Sequence, residues 1–352
     1  MSRMSALFTR RSPVLVGLDI GSSAVKAVEV EPTRAGFRIV AAGAAPVPRG
    51  AVVDGVVVDS GAVAGAIRSV VDAHRIRARA VAASLAGSAV LVRRIAIPRM
   101  SDSELDESIY WEVDQYVPVD LGDVTLDYQV LDREPDGDRR GTMDVLLVVA
   151  KKDRVAECAS VIELAGLEPA VIDVDALALH NAYESAYGAD RDAVVLVHAG
   201  ASVITTAVVR AGRLELTRDV LLARYLHSPA GEPGGLRDEA RVEETGREPR
   251  AAADDKATAE LAALEVERAM EDCCADEDAA DSIDRIVVSG GWACAPGFAA
   301  MLADRVGAPV VRFEPCRGLE VASRVGAGVL LAGDAPAAAV AVGLALRRRD
   351  DR

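Results

Sequence analysis

Aromatic side chains are scarce. Phe, Trp and Tyr make up 3% of the 352 residues, although hydrophobic residues make up 51%. The core must therefore be built from Ala, Val, Leu and Ile. Cysteine is limited to Cys158, Cys273, Cys274, Cys294 and Cys316, an odd number with no CxxC spacing. The adjacent pair Cys273 and Cys274 would be strained as a disulfide. Four His with no His-x-x-x-His pair argue against zinc. No apolar run approaches the ~18–20 residues of a membrane span, and the apolar stretch in MSRMSALFTRR is too short for a signal peptide. The expectation is a cytoplasmic, reduced protein. Basic runs are missing too, apart from Arg347, Arg348 and Arg349; with 40 Lys and Arg against 55 Asp and Glu, the net charge is −15. That excludes sequence-independent binding to nucleic acid, which needs cations facing phosphates. Only four cations are Lys: Lys26, Lys151, Lys152 and Lys256.

The length is that of two or three domains at ~100–200 residues each, enough for a core that needs no staples. Val14 to Ile20 is an apolar run between Pro13 and Gly21 and reads as a buried strand. Val25 to Val30 and Phe37 to Ala42 complete a three-strand meander. Residues 60 to 76 have helical spacing, and Val81 to Leu85 is a further strand. The texture then changes. A strand from Val90 to Ile97 precedes Ser101-Asp102-Ser103-Glu104, a capping box that opens a helix to about Tyr116. A hairpin (Val124 to Leu131 with Met143 to Ala150) and a helix from Arg154 to Ala165 follow, so about 86–165 reads as a βαββα insertion. Residues 102 to 138 hold thirteen acidic side chains.

The second half repeats the first. Ala193 to Val197, a Gly200-Ala201-Ser202 turn, Thr205 to Val209 and Leu214 to Thr217 form another meander with a glycine turn after its first strand. Residues 228–258, rich in Gly, Pro and charge, read as a mobile insertion. Ala259 to about Cys273 is expected to be helical. Ile286 to Ser289 enters a glycine turn, Pro296 to Arg305 is a helix, and Ala337 to Arg348 closes the chain as another. Two such halves are an α/β two-lobe architecture with a cleft between them.

Three turns carry the chemistry. In Gly17-Leu18-Asp19-Ile20-Gly21-Ser22-Ser23-Ala24-Val25-Lys26 a carboxylate ends a buried strand, a turn offers N–H and hydroxyl donors, and a lysine follows. Converging N–H groups and a point charge suit an anion. Neither GxxxxGK[ST] nor GxGxxG is present at this turn, so Walker and Rossmann loops are excluded there. His198-Ala199-Gly200-Ala201-Ser202 is the equivalent turn of the second half. Ser289-Gly290-Gly291-Trp292 would let a strand end approach a ligand.

This ordered set resembles the actin-like ATP-binding superfamily, a two-lobe, ribonuclease H-like duplicated fold. Within it the chain is most similar to the PilM family of type IV pilus assembly proteins, relatives of the division protein FtsA. The likeness runs through GLDIGSSAVKAVEV (17–30), RRIAIPRMSDSELDESIYWEVDQYVPV (93–119), LDYQVL (126–131), VLLVVAKKD (145–153), AGLEPAVIDVDALAL (165–179), RAGRLELTRDV (210–220) and AVAVGLALR (339–347). It implies lobe I over 1–184, carrying the insertion and completed by 335–352, and lobe II over 190–332. It implies ATP, with Mg²⁺, in the cleft. Asp19, Gly21, Ser22, Ser23 and Lys26 would form the first phosphate loop, with Asp19 toward the metal, and Gly200, Ala201 and Ser202 the second. Glu265 and Arg268 would flank the nucleoside, and Gly290 and Gly291 the base and ribose. The implied partners are the N-terminal cytoplasmic peptide of a PilN-like bitopic membrane protein, other platform proteins, an assembly ATPase and copies of the chain itself, with the membrane reached only through them.

Two departures bear on the chemistry. The family opens its second phosphate loop with Asp, where this chain has His198, and a neutral imidazole does not hold Mg²⁺. The glycine pair that lines the family's cleft after Asp219 is replaced by Leu221-Leu222-Ala223-Arg224-Tyr225. The expectation is therefore a scaffold that binds nucleotide with little or no hydrolysis and has no catalytic residue. A small-molecule kinase of the same superfamily lacks an evident catalytic carboxylate here, and an FtsA-like division protein would need an amphipathic helix beyond AVGLALRRRDDR. His180 reads as a structural histidine, Cys294 as a small buried residue, and Trp111 and Tyr116 as core or subunit contact.

Overall fold

The structure, a computed structural model, describes residues 15–34, 36–114, 120–131, 141–188, 192–222, 259–260, 263–268, 283–323, 325 and 335–348. The segment 228–258, Tyr116, Cys273 and Cys274 lie outside them.

The meander β1 (Val16–Ile20), β2 (Ala24–Pro32) and β3 (Phe37–Pro46) pairs antiparallel throughout. A small hairpin, β4 (Val52–Val53) with β5 (Val56–Val57), follows. In α1 (Ser60–Ala73), Val63, Ile67, Val70 and Val71 recur at helical spacing and are buried, and Asp59 caps the first turn by accepting the Ala62 N–H at 2.9 Å. β6 (Ala80–Leu85) returns parallel to β1.

Next come β7 (Val90–Pro98), α2 (Asp102–Asp114), β8 (Val124–Val130) and β9 (Thr142–Lys151). The capping box forms as read: the Ser101 N–H donates to Glu104 Oε2 at 2.8 Å and the Glu104 N–H to Ser101 Oγ at 3.3 Å. Leu105, Ile109 and Val113 of α2 pack on Ile95, Val124 and Leu147. The helix that follows, α3 (Lys152–Leu164), packs elsewhere. Its Cys158, Val161 and Ile162 share a core with Val63, Ile67 and Val70 of α1.

β10 (Glu168–Val174), a strand the sequence reading did not assign, runs parallel to β6 and leads into α4 (Asp175–Tyr187). The second meander is β11 (Ala193–Ala199), β12 (Val203–Arg210) and β13 (Arg213–Leu221). β14 (Arg285–Ser289), α5 (Phe298–Val306), β15 (Val310–Arg312), β16 (Glu320–Val321) and α6 (Ala339–Ala345) complete the described elements. Residues 259–260 and 263–268 are helical too. The closing helix is shorter than the expected 337–348, since Ala335–Ala338 forms a 3₁₀ turn around Pro336.

The strands make two large sheets, β10-β6-β1-β2-β3-β16 and β15-β14-β11-β12-β13-β7-β9-β8. The duplication is explicit: β11 pairs antiparallel with β12 and parallel with β14, as β1 does with β2 and β6. The inserted strands join the second sheet at one register pair, Leu216 with Arg93. Ion pairs reinforce that seam, since Glu215 meets Arg94 and Arg210 at 3.2 Å each and Arg94 also meets Asp144. Between the sheets, α4 and α6 share one core with β2, β11 and β12. α6 sits so close that a Cβ on Gly343 would lie 1.7 Å from the Ala178 carbonyl oxygen, and one on Gly17 of β1 would lie 1.9 Å from that of Ala341.

Candidate functional site

The duplication brings two similar turns to face each other. In the first, Asp19 and Lys26 are partners in the β1–β2 ladder, and their side chains form an ion pair at 2.8 Å. The Gly21 N–H closes the intervening turn onto the Ala24 carbonyl at 3.1 Å. In the second, the same ladder position holds His198 and Thr205, and the Gly200 N–H closes the turn onto the Val203 carbonyl at 3.0 Å. The backbone N–H groups of Ser22, Ser23, Ala201 and Ser202 have no partner among the described residues. The second meander thus keeps the turn and replaces the ion pair with neutral groups.

A cleft of about 1280 Å³ lies between the turns. Its described lining includes Asp19, Gly21, Ser22, Ser23 and Lys26 from one side, and His198, Gly200, Ala201, Ser202 and Gly291 from the other. Gly290, Glu265 and Arg268 are not part of that lining. Gly290 is held behind it with φ +86, where a Cβ would fall 2.3 Å from the Ala199 carbonyl oxygen, so its glycine lets β14 pass close to β11. Glu265 is buried and lines a second cavity of about 430 Å³ with Asp175 and Asp219. Arg268, one helical turn on, engages Glu265 Oε1 at 2.6 Å.

His198 can be assigned a tautomer. Ser289 Oγ donates its one proton to the Val197 carbonyl at 3.0 Å, so in its 3.0 Å contact with His198 Nδ1 it must accept. Nδ1 therefore carries the hydrogen and Nε2 is the lone-pair nitrogen. Burial pushes the His198 pKa down to about 4, so the ring is neutral at physiological pH.

Asp175, the first residue of α4, was not anticipated. It lines both cavities, and its Oδ1 accepts the Ser84 hydroxyl at 2.5 Å. Burial first, then the Asp19 and Asp219 charges, raise its pKa to about 8; the Ser84 hydrogen bond and Lys26 act against them. Its signal lay in AGLEPAVIDVDALAL (165–179), where a carboxyl follows a strand at a helix start. Asp219 is also raised by burial, partly offset by Thr205 and by the Gly87 N–H that donates to its Oδ2 at 2.7 Å. Arg154 and Glu157 line the cleft as a 2.8 Å ion pair. The Cys158 thiol, pushed up to about 12 by burial, is inert. Trp111 is not core: it is 82% exposed.

Among the described residues, no group of three His, Cys, Asp or Glu is placed to hold a metal ion. The side chains alone do not build a Mg²⁺ cage, because Asp19 already faces Lys26 and His198 is neutral. Phosphate oxygens would have to supply most of its ligands.

Two lobes built on one repeated meander, facing each other across this cleft, define a protein of the actin-like class. Residues 17–223 and 256–349 match the family model described as type IV pilus assembly protein PilM. The chain belongs to the PilM family of type IV pilus assembly proteins. Among solved structures it is similar to the PilM-PilN type IV pilus biogenesis complex, at 23% identity and TM-score 0.76, over 97% of this chain and 100% of that one. It is also similar to the ethanolamine utilization protein EutJ from Carboxydothermus hydrogenoformans, at 16% identity and TM-score 0.48, over 96% and 90%. MreB 5 of Spiroplasma citri bound to AMPPNP matches at 12% identity and TM-score 0.47, over 95% of each chain. Among the described residues, no helix is long and apolar enough to cross a membrane.

Proposed function

We propose that this chain is an actin-like scaffold of a type IV pilus or related secretion platform. It would hold ATP in the interlobe cleft with little or no hydrolysis and bind the N-terminal cytoplasmic peptide of a PilN-like membrane protein. It would sit in the cytoplasm at the inner face of the membrane and reach it through that partner, other platform proteins and an assembly ATPase. Family membership supports the pilus role, and the PilN-like partner rests on the similarity to the PilM-PilN complex.

One observation carries the nucleotide reading: two geometrically equivalent turns, each with N–H groups that have no partner among the described residues, face one cleft that also holds Lys26. Asp19, Gly21, Ser22, Ser23 and Lys26 would hold one part of the phosphate chain, Gly200, Ala201 and Ser202 the other, and Gly291 the nucleoside. Glu265, Arg268 and Gly290 would border rather than line it. A bare nucleotide tetra-anion would compete with Asp19 for Lys26, so the ligand is expected as its Mg²⁺ complex, with Asp19 toward the ion.

Little or no turnover is proposed because His198, buried and neutral, stands where the family's second phosphate loop opens with Asp, so one carboxylate fewer supports the ion and its waters. Burial favours the protonated form of Asp175 in the same cleft. The lobe assignment is part of the same proposal: 1–184 with 335–352 against 190–332. Calorimetry with ATP and Mg²⁺, paired with a phosphate-release assay, tests the reading. Saturable binding with background release is expected, and sustained release by pure protein would refute it.

A further inference from the structure

None of the residues of α2 lines either cavity, yet its outer face is unusual. The helix buries Leu105, Ile109 and Val113, spaced four apart, against β7, β8 and β9. On the rest of its circumference Trp111 is 82% exposed and Tyr110 50% exposed, in a chain with only two tryptophans. Glu107 lies one turn and Glu104 two turns before Trp111, and Asp106 lies one turn before Tyr110. All three acids are exposed, and α2 carries no cation of its own. Glu104 caps the helix and Asp106 accepts the Tyr128 hydroxyl. That last bond links α2 to β8.

We propose that the outer face of α2 is a docking surface for a basic segment of a partner protein, in which Arg side chains alternate with apolar ones. A guanidinium would stack on Trp111 while its neighbours pair with Glu104, Asp106 and Glu107. Charge complementarity selects this occupant. Anionic lipid and nucleic acid are repelled by the acids, and a second copy of a chain with net charge −15 approaches against long-range repulsion. Exposed Trp and Tyr are the side chains that dominate binding energy at protein interfaces. The inference rests neither on the nucleotide reading nor on the PilN-like partner.

Acrylamide quenching of tryptophan fluorescence in the full chain tests it, because Trp111 is open to the quencher and Trp292 is buried. The probe is a synthetic peptide of alternating Arg and Leu, with a Lys–Gly peptide of equal charge as reference. The Arg–Leu peptide is expected to shield Trp111 saturably, and less so as salt rises. By polarisation of labelled peptide, Trp111→Ala is expected to weaken binding about tenfold, the scale of a cation–π contact with its buried area. Glu104→Gln with Glu107→Gln should also weaken it, while Asp72→Asn, an exposed acid on α1, should not. Equal binding by wild type and Trp111→Ala, equal affinity for the Lys–Gly peptide, or loss on Asp72→Asn would overturn the proposal. So would shielding of Trp111 by the protein alone, with a doubling of mass, which would assign the face to a second copy.

Discussion

Asp19 and Lys26 face each other across a ladder, and in the other lobe the same two positions hold His198 and Thr205. If Lys26 shares its charge between Asp19 and a phosphate, Lys26→Ala should weaken ATP by about 1.5–3 kcal/mol, as for a hydrogen bond to a charged group. An unchanged dissociation constant in calorimetry would remove the phosphate from this turn. His198→Asp restores a carboxylate and should make ATP binding depend more steeply on Mg²⁺, as titrations with and without chelator would read. The buried groups also set opposite pH slopes. Unfolded, His198 gains its proton near 6.5, but folded only near 4. Between those values the unfolded chain binds more protons, so the His198 contribution is lost as pH falls from 6.5 toward 4. Asp175 works the other way: its folded pKa lies near 8 against 3.8, so its contribution is lost as pH rises from about 4 through 8. Thermal melts against pH should therefore show Asp175→Asn gaining on wild type steadily from about pH 4 to pH 8, further at pH 8 than at pH 5. Asp175 was hard to see in the sequence because Asp173 stands two residues earlier in the same apolar context. Only the fold separates them, turning Asp173 onto Arg347 at 3.0 Å and Asp175 into the cleft.

At the scale of elements, what repeats in the sequence was legible and what joins the repeats was not. The two meanders share a pattern of apolar strand, glycine turn and strand, and that pattern alone yields the observed pairings. β10 escaped notice because Pro169 and a register shift between Pro169 and Val171 interrupt it. The seam between β7 and β13 has no periodicity to read, since one ladder pair and the Arg94, Glu215 and Arg210 side chains make it. Glu265 and Arg268 were read as cleft residues because their helix was placed by resemblance, whereas the orientation of a side chain depends on the packing of that helix. α6 shows how much one small residue can carry. Gly343→Ala would press a methyl into the Ala178 carbonyl of α4, and overpacking of this kind typically costs about 1–3 kcal/mol. Chemical denaturation should show that loss, and a variant as stable as wild type would contradict the close approach of α4 and α6.

For the molecule as a whole, the inserted segment is the test of partner binding. Removing 86–165 would take α3 with it and strip Cys158, Val161 and Ile162 from the core they share with α1. Removing 90–151 avoids this, and the ends to be joined are close because Val90 and Ala150 are ladder partners. That variant should lose a PilN-like peptide in a polarisation assay while ATP still raises its melting temperature by mass action; retained peptide binding would move the partner site elsewhere. The central claim is that the cleft holds nucleotide without turning it over. Phosphorus NMR of ATP and Mg²⁺ with a stoichiometric amount of the full chain reads both halves in one spectrum. The account expects broadened, shifted β- and γ-phosphate lines and no growth of inorganic phosphate beyond buffer. Sharp, unshifted ATP lines, or phosphate that accumulates with time, would contradict it.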